Sequence, residues 1–483
     1  MSPAPLAPPS AAAAAISAPE PSGPSAPRVA TDSVFATGRR VASAPRRPVQ
    51  RLIRRPARGP LRSATAALGS LGLAASLAVG GLAAAAPSAA AAQEVTTRPA
   101  SGSFTLTGSG YGHGRGMSQW GAYGAADAGL TWQQIIAFYY PGTALHSIAD
   151  SQMRVLISAD TDGDTMVKPA AGLSAVVGRT AVTMPTGAGY TAWRAKRYAN
   201  GITVQYRDRA GAWRGWRGFT MRSGVLVFRT SSGIVRLVLP SGTSQDVRGS
   251  VYATISGSKV VTVVNSTMEA YLRSVVPAEM PASWHVRALS AQAVAARTYA
   301  ASYRQRQRAK GALWDICDSQ ACQVFKGVAR YTASGTRVPG ESTRSDAAII
   351  ATKGQVLRVT KSSTSAFAFA EFSASNGGYT VAGGPFYQVA KRDPYDGRLA
   401  NPNTAWSSKV AVTTLEKTYG LGKLIDVRIL DRDGNGVFGG RVDEVQLTGS
   451  TRAVTLTGTR LRQDLKLRSE MFKVTQTPVA PAS

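Results

Sequence analysis

The stretch from Tyr271 to Ala300 constrains the fold more than any other part of the chain, and it reads YLRSVVPAEMPASWHVRALSAQAVAARTYA. Pro281 disfavours a helical conformation for Met280, and Ser283 is a competent helix N-cap. Apolar residues then recur at a spacing of three to four: Val286, Leu289, Ala293, Ala296 and Ala300. This spacing predicts a helix with one buried face. We expect it to begin near Ser283, run through Tyr303 and end in the basic residues that follow, which suit the negative end of the helix dipole.

Glu279 is the carboxylate of this stretch, and we expect it in a rigid turn just ahead of the helix. Its neighbours are apolar: Val275, Val276, Pro277 and Met280. Burial among such residues raises the pKa of a carboxyl group and leaves it able to donate a proton near neutral pH. The residues alone leave a second interpretation open, in which Glu279 caps the helix or pairs with an arginine.

A second motif lies in residues 104–145, where six glycines fall between Gly108 and Gly121 in the sequence GSGYGHGRGMSQWG. Glycines at this density predict a loop with positive φ angles and close backbone approaches. Two short helices are expected after it, at 122–128 and 132–140, separated by Gly129. A nucleotide-binding loop is excluded, because the acidic partner for a ribose and the strand–helix context are missing.

The two motifs together resemble the SpoIID family (stage II sporulation protein D), with its amidase-enhancer relatives of the LytB type. The resemblance rests on VVPAEMPASW followed by ALSAQAVAARTYA, and on GHGRGMSQWGA, which is similar to the family pattern GHGxGMSQxGA. It implies a lytic transglycosylase of peptidoglycan in which Glu279 is the catalytic acid and base. It also implies that Arg297 binds substrate, with Gln292 and Tyr299 of the same motif as weaker substrate-contact candidates.

This chain departs from the family pattern in two ways. Where the family usually has Glu and Lys in its EALKAQ segment, this chain has Arg287 and Ser290. The glycine motif, which follows the glutamate segment in the sporulation proteins, precedes it here. We expect both motifs to pack around one site, and a separate wall-binding module is the alternative. His113 of the glycine motif either hydrogen-bonds the substrate or locks the loop.

A third segment, FAFAEFSASNGGYT, continues the resemblance, because it is similar to the serine-rich SSxGG loop of the family. Small hydroxyl, amide and backbone groups are what sugar hydroxyls require as partners. The resemblance therefore makes five residues of this loop candidates for substrate binding: Ser373, Ser375, Asn376, Gly377 and Gly378. The alternative is an ordinary hairpin turn at Asn376-Gly377.

Two further segments bear on disulfides and metals. The family often has a cysteine pair where this chain has Cys317 and Cys322, and some members add a histidine to bind zinc. No histidine lies in this stretch, so an exported protein is expected to form a disulfide here, with zinc as the alternative. The sequence DRDGNG, from Asp431 to Gly436, copies the first half of a calcium loop, but Val442 replaces the final Glu of an EF-hand. A hairpin turn is expected there, with calcium as the alternative, and no cofactor is predicted.

Alternation of apolar and polar residues over 150–268 predicts strands, as in MRVLISA, GITVQYR, GVLVFRT, IVRLVLP and KVVTVVN. The expected fold class is therefore α+β: a mixed, strand-rich catalytic domain over residues 146–473, with Glu279 at the entrance of a long helix. Aromatic and basic residues interleave between Trp193 and Arg217. They form either a sugar-stacking surface or a hairpin face with solvated charges.

The ends of the chain and its charge indicate where the protein acts. Residues 1–63 predict a disordered basic leader, and residues 474–483 predict a disordered tail. Residues 64–92 carry no charge and end in small residues, which is typical of a signal peptide, with a retained membrane anchor as the alternative.

The formal net charge of +29 favours polyanionic partners, and no nucleic-acid-binding signature accompanies it. We expect an exported, extracellular or cell-wall protein whose partners are peptidoglycan glycan strands, with a cell-wall amidase as a second candidate. Membrane contact is expected only through an uncleaved leader.

Overall fold

The computed structural model of the protein describes residues 94–221, 224–361 and 366–477. The predicted leader at 1–63 and the predicted signal peptide or anchor at 64–92 lie outside these residues. Among the residues described, no helix combines the length and the apolar character needed to cross a membrane.

Helices and strands are mixed along the chain, which confirms the predicted α+β class. The helices of the described residues are α1 (Gln119–Asp127), α2 (Trp132–Tyr139), α3 (Met268–Glu279), α4 (Val286–Ala309), α5 (Thr343–Ala351), α6 (Val412–Tyr419) and α7 (Gly458–Asp464). The predicted helices on either side of Gly129 are α1 and α2. The predicted long helix is α4, and it is buried from Ala288 to Ser302 because α1, α2, α3 and α5 pack around it.

Two long sheets occupy most of the strand-rich region within the described residues. The first is antiparallel, in the order Trp213–Met221, Gly201–Arg207, Ala192–Tyr198, Asp164–Val167, Ile234–Val238, Ser244–Arg248, Ala329–Tyr331 and Arg337–Pro339. The second runs in the order Ile316–Cys317, Gln152–Leu156, Lys259–Thr267, Ser250–Ser256, Val225–Arg229, Ser174–Val177 and Thr180–Thr183. Its pairs are antiparallel except the first, which is parallel. The five strands predicted from alternation are all present.

The apolar faces of both sheets and of the helices from α1 to α5 form one core. Trp193 and Trp216 are buried in it, at 0% and 4% exposure. Trp213 is partly exposed, and the Arg194 guanidinium lies 4.0 Å from its ring centroid. The interleaved stretch is therefore a hairpin with buried aromatic rings, and this geometry does not support a sugar-stacking surface.

A second, smaller core joins the beginning and the end of the described chain. One of its sheets has the order Trp406–Ala411, Ser103–Gly108 and Phe472–Gln476, and the other has Glu94–Thr97, Leu424–Arg432, Val442–Gly449 and Ala453–Thr457. Leu106 lies opposite Val474 in the first sheet. This pairing corrects the predicted tail, because residues 474–476 belong to a strand. The remaining pairs are Gln355–Val359 with Thr143–Ser147, and Phe372–Ser373 with Met117–Ser118.

The half calcium loop at Asp431–Gly436 connects two strands of the second core as a hairpin. Its Asp433 Oδ1 accepts hydrogen bonds from the backbone N–H groups of Asn435 at 3.0 Å and Arg441 at 2.9 Å. The carboxylate therefore closes the turn. In the part of the chain that the structure describes, no three His, Cys, Asp or Glu side chains are gathered as a metal site requires.

The structure corrects the predicted conformation around Glu279. Glu279 is the last residue of its own helix, α3, which contains Pro277 and begins after the N-cap Thr267. Met280 is extended, as Pro281 requires. The long helix then begins at Val286, and its N-cap is His285 instead of Ser283. The His285 Nδ1 atom accepts from the Arg287 backbone N–H at 3.1 Å, which serves the same purpose as a serine hydroxyl.

Candidate active site

Glu279 lies at the C-terminal end of α3, where its side chain turns into the interior and is 7% exposed. Its Oε1 atom accepts a hydrogen bond from the Val324 backbone N–H at 2.9 Å. Burial raises the pKa of Glu279 to about 7, although the Val324 N–H, the charge of Lys326 and the Gln119 amide each act to lower it. The carboxyl group is therefore divided between its protonated and ionised forms at neutral pH, as a group that both donates and accepts protons requires.

The glycine motif reaches Glu279 through Gln119. Gln119 is the first residue of α1, whose N-cap Ser118 accepts from the Gly121 backbone N–H. The Gln119 side chain is buried, at 2% exposure, and lies close enough to Glu279 to lower its pKa. Its Nε2 atom reaches no acceptor with full hydrogen-bond geometry among the described residues. Residues from the two sequence motifs are thus brought together at one carboxylate.

Aromatic side chains next to these residues form a second contact between the motifs. Trp284 stacks on Tyr123 with ring centroids 4.6 Å apart and an interplanar angle of 7°. Trp120 meets Trp284 edge-on, with centroids 4.7 Å apart. All three rings are partly exposed. Such pairs contribute about 0.5–1.5 kcal/mol beyond the burial of their area, so this cluster holds α1 against the turn between α3 and α4.

A disulfide joins Cys317 to Cys322, with the sulfur atoms 2.15 Å apart. Both thiols are consumed, so this pair offers no thiolate to zinc. The residue after the disulfide, Gln323, accepts from the Tyr271 hydroxyl at 2.9 Å and donates to the Ala296 carbonyl at 3.4 Å. The disulfide-bonded segment is therefore tied to both α3 and α4, and this fixes the position of the Val324 N–H beside Glu279.

Tyr299 lies on the side of α4 that faces the site. It is 8% exposed and stacks on Phe369, with centroids 4.9 Å apart. Burial raises the pKa of the Tyr299 hydroxyl, and the charges of Glu371 and Glu279 raise it further. Tyr299 is thus a neutral phenol within electrostatic range of the carboxyl groups of Glu279 and Glu371. Gln292, seven residues earlier, shares this helix face; it is fully buried, and neither polar atom of its amide has a hydrogen-bond partner in the described residues.

The second carboxylate, Glu371, was not singled out from the sequence. Arg115 holds it with two hydrogen bonds, of 3.1 Å and 2.9 Å, and the Gln388 amide donates a third at 2.9 Å. Burial acts to raise the pKa of Glu371, but the bonds from Arg115 and the neighbouring His113 outweigh it and lower the pKa. Glu371 is therefore a fixed anion.

His113 has a structural role that is visible in its contacts. Its Nδ1 atom accepts from the Arg115 backbone N–H at 3.0 Å. Burial, reinforced by Arg115, lowers the pKa of His113 to about 4. The imidazole is therefore neutral at physiological pH and locks the glycine loop; contact with substrate stays a prediction.

The serine-rich loop is held from within by two buried aspartates. Ser375 donates to Asp396 at 2.7 Å, and the Asn376 amide donates to Asp393 at 2.7 Å. Ser375 and Asn376 are both 0% exposed, so these bonds hold the loop from within, and contact of the two residues with substrate stays a prediction. The same aspartates bond Ser118 and Tyr139 of the glycine segment, so this network joins the loop to α1 and α2.

The other members of this loop occupy different positions. Ser373 is buried, and its hydroxyl accepts from the Gly114 backbone N–H at 3.3 Å. Gly377 has a φ of 74°, and a Cβ atom there would lie 3.0 Å from the Ser109 hydroxyl. Gly378, with a φ of 92°, faces open space, so of the five predicted residues it is the one whose surroundings leave most room for a ligand.

Arg297 is fully buried, and its contact with substrate stays a prediction. Its guanidinium makes two bonds of 2.8 Å to Glu269 on α3 and donates to the carbonyls of Gln355 and Ile349. These bonds engage the whole guanidinium group. Arg297 therefore connects α3, α4 and the end of α5.

Comparison with known proteins confirms the resemblance. Residues 256–358, which include Glu279 and the disulfide, match the family model described as SpoIID: Stage II sporulation protein. Stage II sporulation protein D of Bacillus subtilis (strain 168) is 30% identical over 232 residues, covering 46% of this chain and 63% of that protein. The counterpart in Bacillus amyloliquefaciens is 29% identical over 221 residues, covering 44% and 61%. The Amidase enhancer of Bacillus subtilis (strain 168) is 51% identical over 53 residues, which are 11% of this chain and 8% of that protein. The chain thus spans less than two thirds of each of these relatives. No solved structure matches it.

Proposed function

Starting from the SpoIID segment at residues 256–358, we propose that this protein is a peptidoglycan lytic transglycosylase. It cleaves the bond between MurNAc and GlcNAc and leaves 1,6-anhydro-MurNAc ends. The observation that carries the proposal is the buried carboxyl group of Glu279, whose pKa is raised to about 7. A group with this pKa is both a competent acid and a competent base near neutral pH.

One carboxyl group is sufficient for this reaction because the nucleophile belongs to the substrate. Protonated Glu279 gives its proton to the glycosidic oxygen as the bond from that oxygen to C1 of MurNAc breaks. The C6 hydroxyl of the same sugar attacks C1, and the Glu279 carboxylate takes the hydroxyl proton. No water is consumed, and the enzyme returns to its protonated form. Intramolecular attack has a high effective molarity, which replaces a second catalytic carboxylate.

The surroundings of Glu371 support a mechanism with one carboxylate. Most hydrolases of glycans use a second carboxylate as a base for water or as a nucleophile. The Glu371 oxygens accept three hydrogen bonds from Arg115 and Gln388. A carboxylate held in this way is poorly basic. Glu371 is therefore more suited to fixing the glycine loop than to activating water or attacking the sugar.

A second candidate function is favoured by the relative named Amidase enhancer, which matches 53 residues of this chain at 51% identity. In that case the protein binds and stimulates a cell-wall amidase without cleaving glycan itself. Both candidates act on the cell wall and require export, which is consistent with the uncharged stretch at 64–92.

The deciding experiment compares residues 93–483 of the wild type with Glu279→Gln on purified glycan strands, both intact and stripped of stem peptides. The substitution keeps the shape of the side chain and removes proton donation. We expect wild type to release 1,6-anhydro-MurNAc ends and Glu279→Gln to lose at least about 100-fold in rate. Glu444→Gln is the matched control, because Glu444 is an exposed residue of a strand in the second core, and its rate should equal that of wild type.

Mass spectrometry of the digest distinguishes the alternatives. Reducing MurNAc ends in place of anhydro ends would show a hydrolase that uses water. Absence of cleavage by wild type, together with retained binding of an amidase, would replace the transglycosylase with the enhancer.

A further inference from the structure

Lys326 was not singled out from the sequence, yet the structure anchors it beside Glu279. It lies two residues after Val324, whose backbone N–H bonds Glu279. The backbone N–H of Lys326 itself donates to the Ser274 hydroxyl at 2.7 Å. Ser274 and Glu279 both belong to α3. The segment that follows the disulfide is therefore fixed to α3 at two points, and this fixes the origin of the Lys326 side chain.

The ammonium group of Lys326 is available to act on Glu279. Lys326 is partly exposed, and it forms no ion pair with any carboxylate in the described residues. Burial lowers the pKa of Lys326, the adjacent Arg330 lowers it further, and the charge of Glu279 raises it. The interaction with Glu279 is therefore one of charge at a distance, without a direct contact.

We propose that Lys326 is a positioning residue for Glu279: its ammonium group stabilises the carboxylate that Glu279 becomes each time it gives up its proton. This inference rests on the proposed function for its catalytic meaning. A buried carboxylate is disfavoured, because the site has little water to solvate the charge. A cation close by offsets part of that cost during the interval between proton donation and proton return.

The absence of a direct ion pair is important for this role. A salt bridge at contact distance would hold Glu279 ionised at neutral pH and remove the proton that the first step requires. A cation farther away stabilises the carboxylate less, so that both protonation states remain accessible. The backbone bonds at Val324 and Ser274 fix the chain on both sides of Phe325, and therefore the point from which the Lys326 side chain extends.

The other groups that face Glu279 are uncharged at neutral pH. They are the Gln119 amide from α1, the Val324 N–H, and the hydroxyls of Tyr271 on α3 and Tyr299 on α4. Burial raises the pKa of both tyrosines, so neither ionises in the working range. Among the described residues, Lys326 is therefore the positive charge that lowers the pKa of Glu279, and a substitution can remove it.

The test is a direct titration of Glu279 in the full chain, followed by NMR of ¹³C-labelled glutamate side chains and assigned with Glu279→Gln. We expect Lys326→Gln to move the Glu279 midpoint upward by about 0.5 to 1 pH unit. Lys326→Arg, which keeps the charge, should remain near wild type. Lys310→Gln is the control, because Lys310 is an exposed residue at the end of α4, and it should cause no shift. If Lys326→Gln fails to fold, Lys326→Met, which keeps the aliphatic stem, takes its place.

Activity supplies the second readout. The high-pH side of the rate profile should move with the titration midpoint in Lys326→Gln and return in Lys326→Arg. An unchanged midpoint in a folded Lys326→Gln protein, or an equal shift in Lys326→Arg, would overturn the proposal. The titration requires no substrate. If the wild type cleaved no glycan, the proposed transglycosylase activity would be rejected, but the effect of Lys326 on the pKa of Glu279 would still be measured.

Discussion

Glu279 illustrates at the scale of one residue how a proposed catalytic group reduces the stability of its own fold. Its pKa is about 7 in the folded protein, against an ordinary value of 4.5. Below pH 4.5 both the folded and the unfolded chain hold the proton, so the group has no effect on stability. Between pH 4.5 and 7 the unfolded chain loses its proton while the folded chain keeps it. The free energy of unfolding therefore falls as pH rises, and above pH 7 the loss is complete.

This reasoning predicts that Glu279→Gln becomes more stabilising, relative to wild type, as pH rises. A pKa difference of this size corresponds to about 3 kcal/mol. Urea unfolding of both proteins at pH 4 and pH 8, with the disulfide intact, measures it. The difference in free energy of unfolding between variant and wild type should be larger at pH 8 by about that amount. A difference that is the same at both pH values would contradict the raised pKa.

The sequence allowed the central residue of the candidate site to be proposed, but not the residues around it. Glu279 was identifiable because a lone carboxylate stands among apolar residues and because its motif resembles a family. Its hydrogen-bond donor, Val324, is 45 positions away, and nothing in the local sequence of Val324 or Lys326 indicates that they meet it. The contacts of Arg297 were not predicted for a related reason. An arginine within a motif is compatible with binding substrate or with joining helices, and only the structure shows that it joins α4 to Glu269 on α3.

At the scale of elements, α3 shows where local patterns fail. Its last turns contain Val275, Val276 and Pro277, and a proline in a helix interior removes a backbone hydrogen bond and normally ends the helix. The residues before it are buried in the core against α4 and α5. Tertiary packing outweighs the local preference here, as it commonly does. The strands were predicted more accurately, because their alternation reports burial directly.

The glycine loop gives a prediction at this scale, because Gly116 of the loop and Gly102, which precedes the strand Ser103–Gly108, share a conformation and differ in surroundings. Gly116 has a φ of 65°, and a Cβ atom there would lie 2.0 Å from the Glu371 carbonyl oxygen. Gly102 has a φ of 70° and no atom within 4 Å of the same point. Alanine at either position costs about 1 kcal/mol for the left-handed conformation. At Gly116 the backbone clash comes in addition.

We therefore expect Gly116→Ala to lower the melting temperature well beyond the effect of Gly102→Ala, and to reduce glycan cleavage, since the displaced loop carries Gln119. Calorimetry of the two variants and of wild type measures the first effect, and the anhydro-end assay measures the second. Equal melting temperatures for the two variants would mean that the loop does not pack against Glu371 as described.

At the scale of the whole molecule, the glycine segment connects the two cores. The strand Ser103–Gly108 lies between Trp406–Ala411 and Phe472–Gln476, with Phe104 and Leu106 buried in the second core. Residues from Met117 to Tyr140 pack in the first core. The glycine motif at 104–145 was expected to pack with the catalytic domain at 146–473 around one site, and nothing in the sequence indicated how the two are joined. Strand pairing between residues almost 370 positions apart, such as Leu106 with Val474, leaves no local signal in the sequence from which it could be predicted.

This arrangement predicts that the region after residue 145 does not fold without the glycine segment. Removing it takes the central strand from one sheet and uncovers the apolar side chains of Phe472 and Trp406. It also deletes α1 and α2 from the surface of α4. A protein of residues 146–483 should therefore show no cooperative thermal transition, or one far below that of residues 93–483, and should bind a dye for exposed apolar surface. As the matched control, residues 98–483 lack only the edge strand Glu94–Thr97, which pairs with Leu424–Arg432 on one side; this protein should melt cooperatively within a few degrees of the longer one. If residues 146–483 melted as sharply and at the same temperature as residues 93–483, the glycine segment would be an independent module, and the contacts of Gln119 with Glu279 would not contribute to holding the site together.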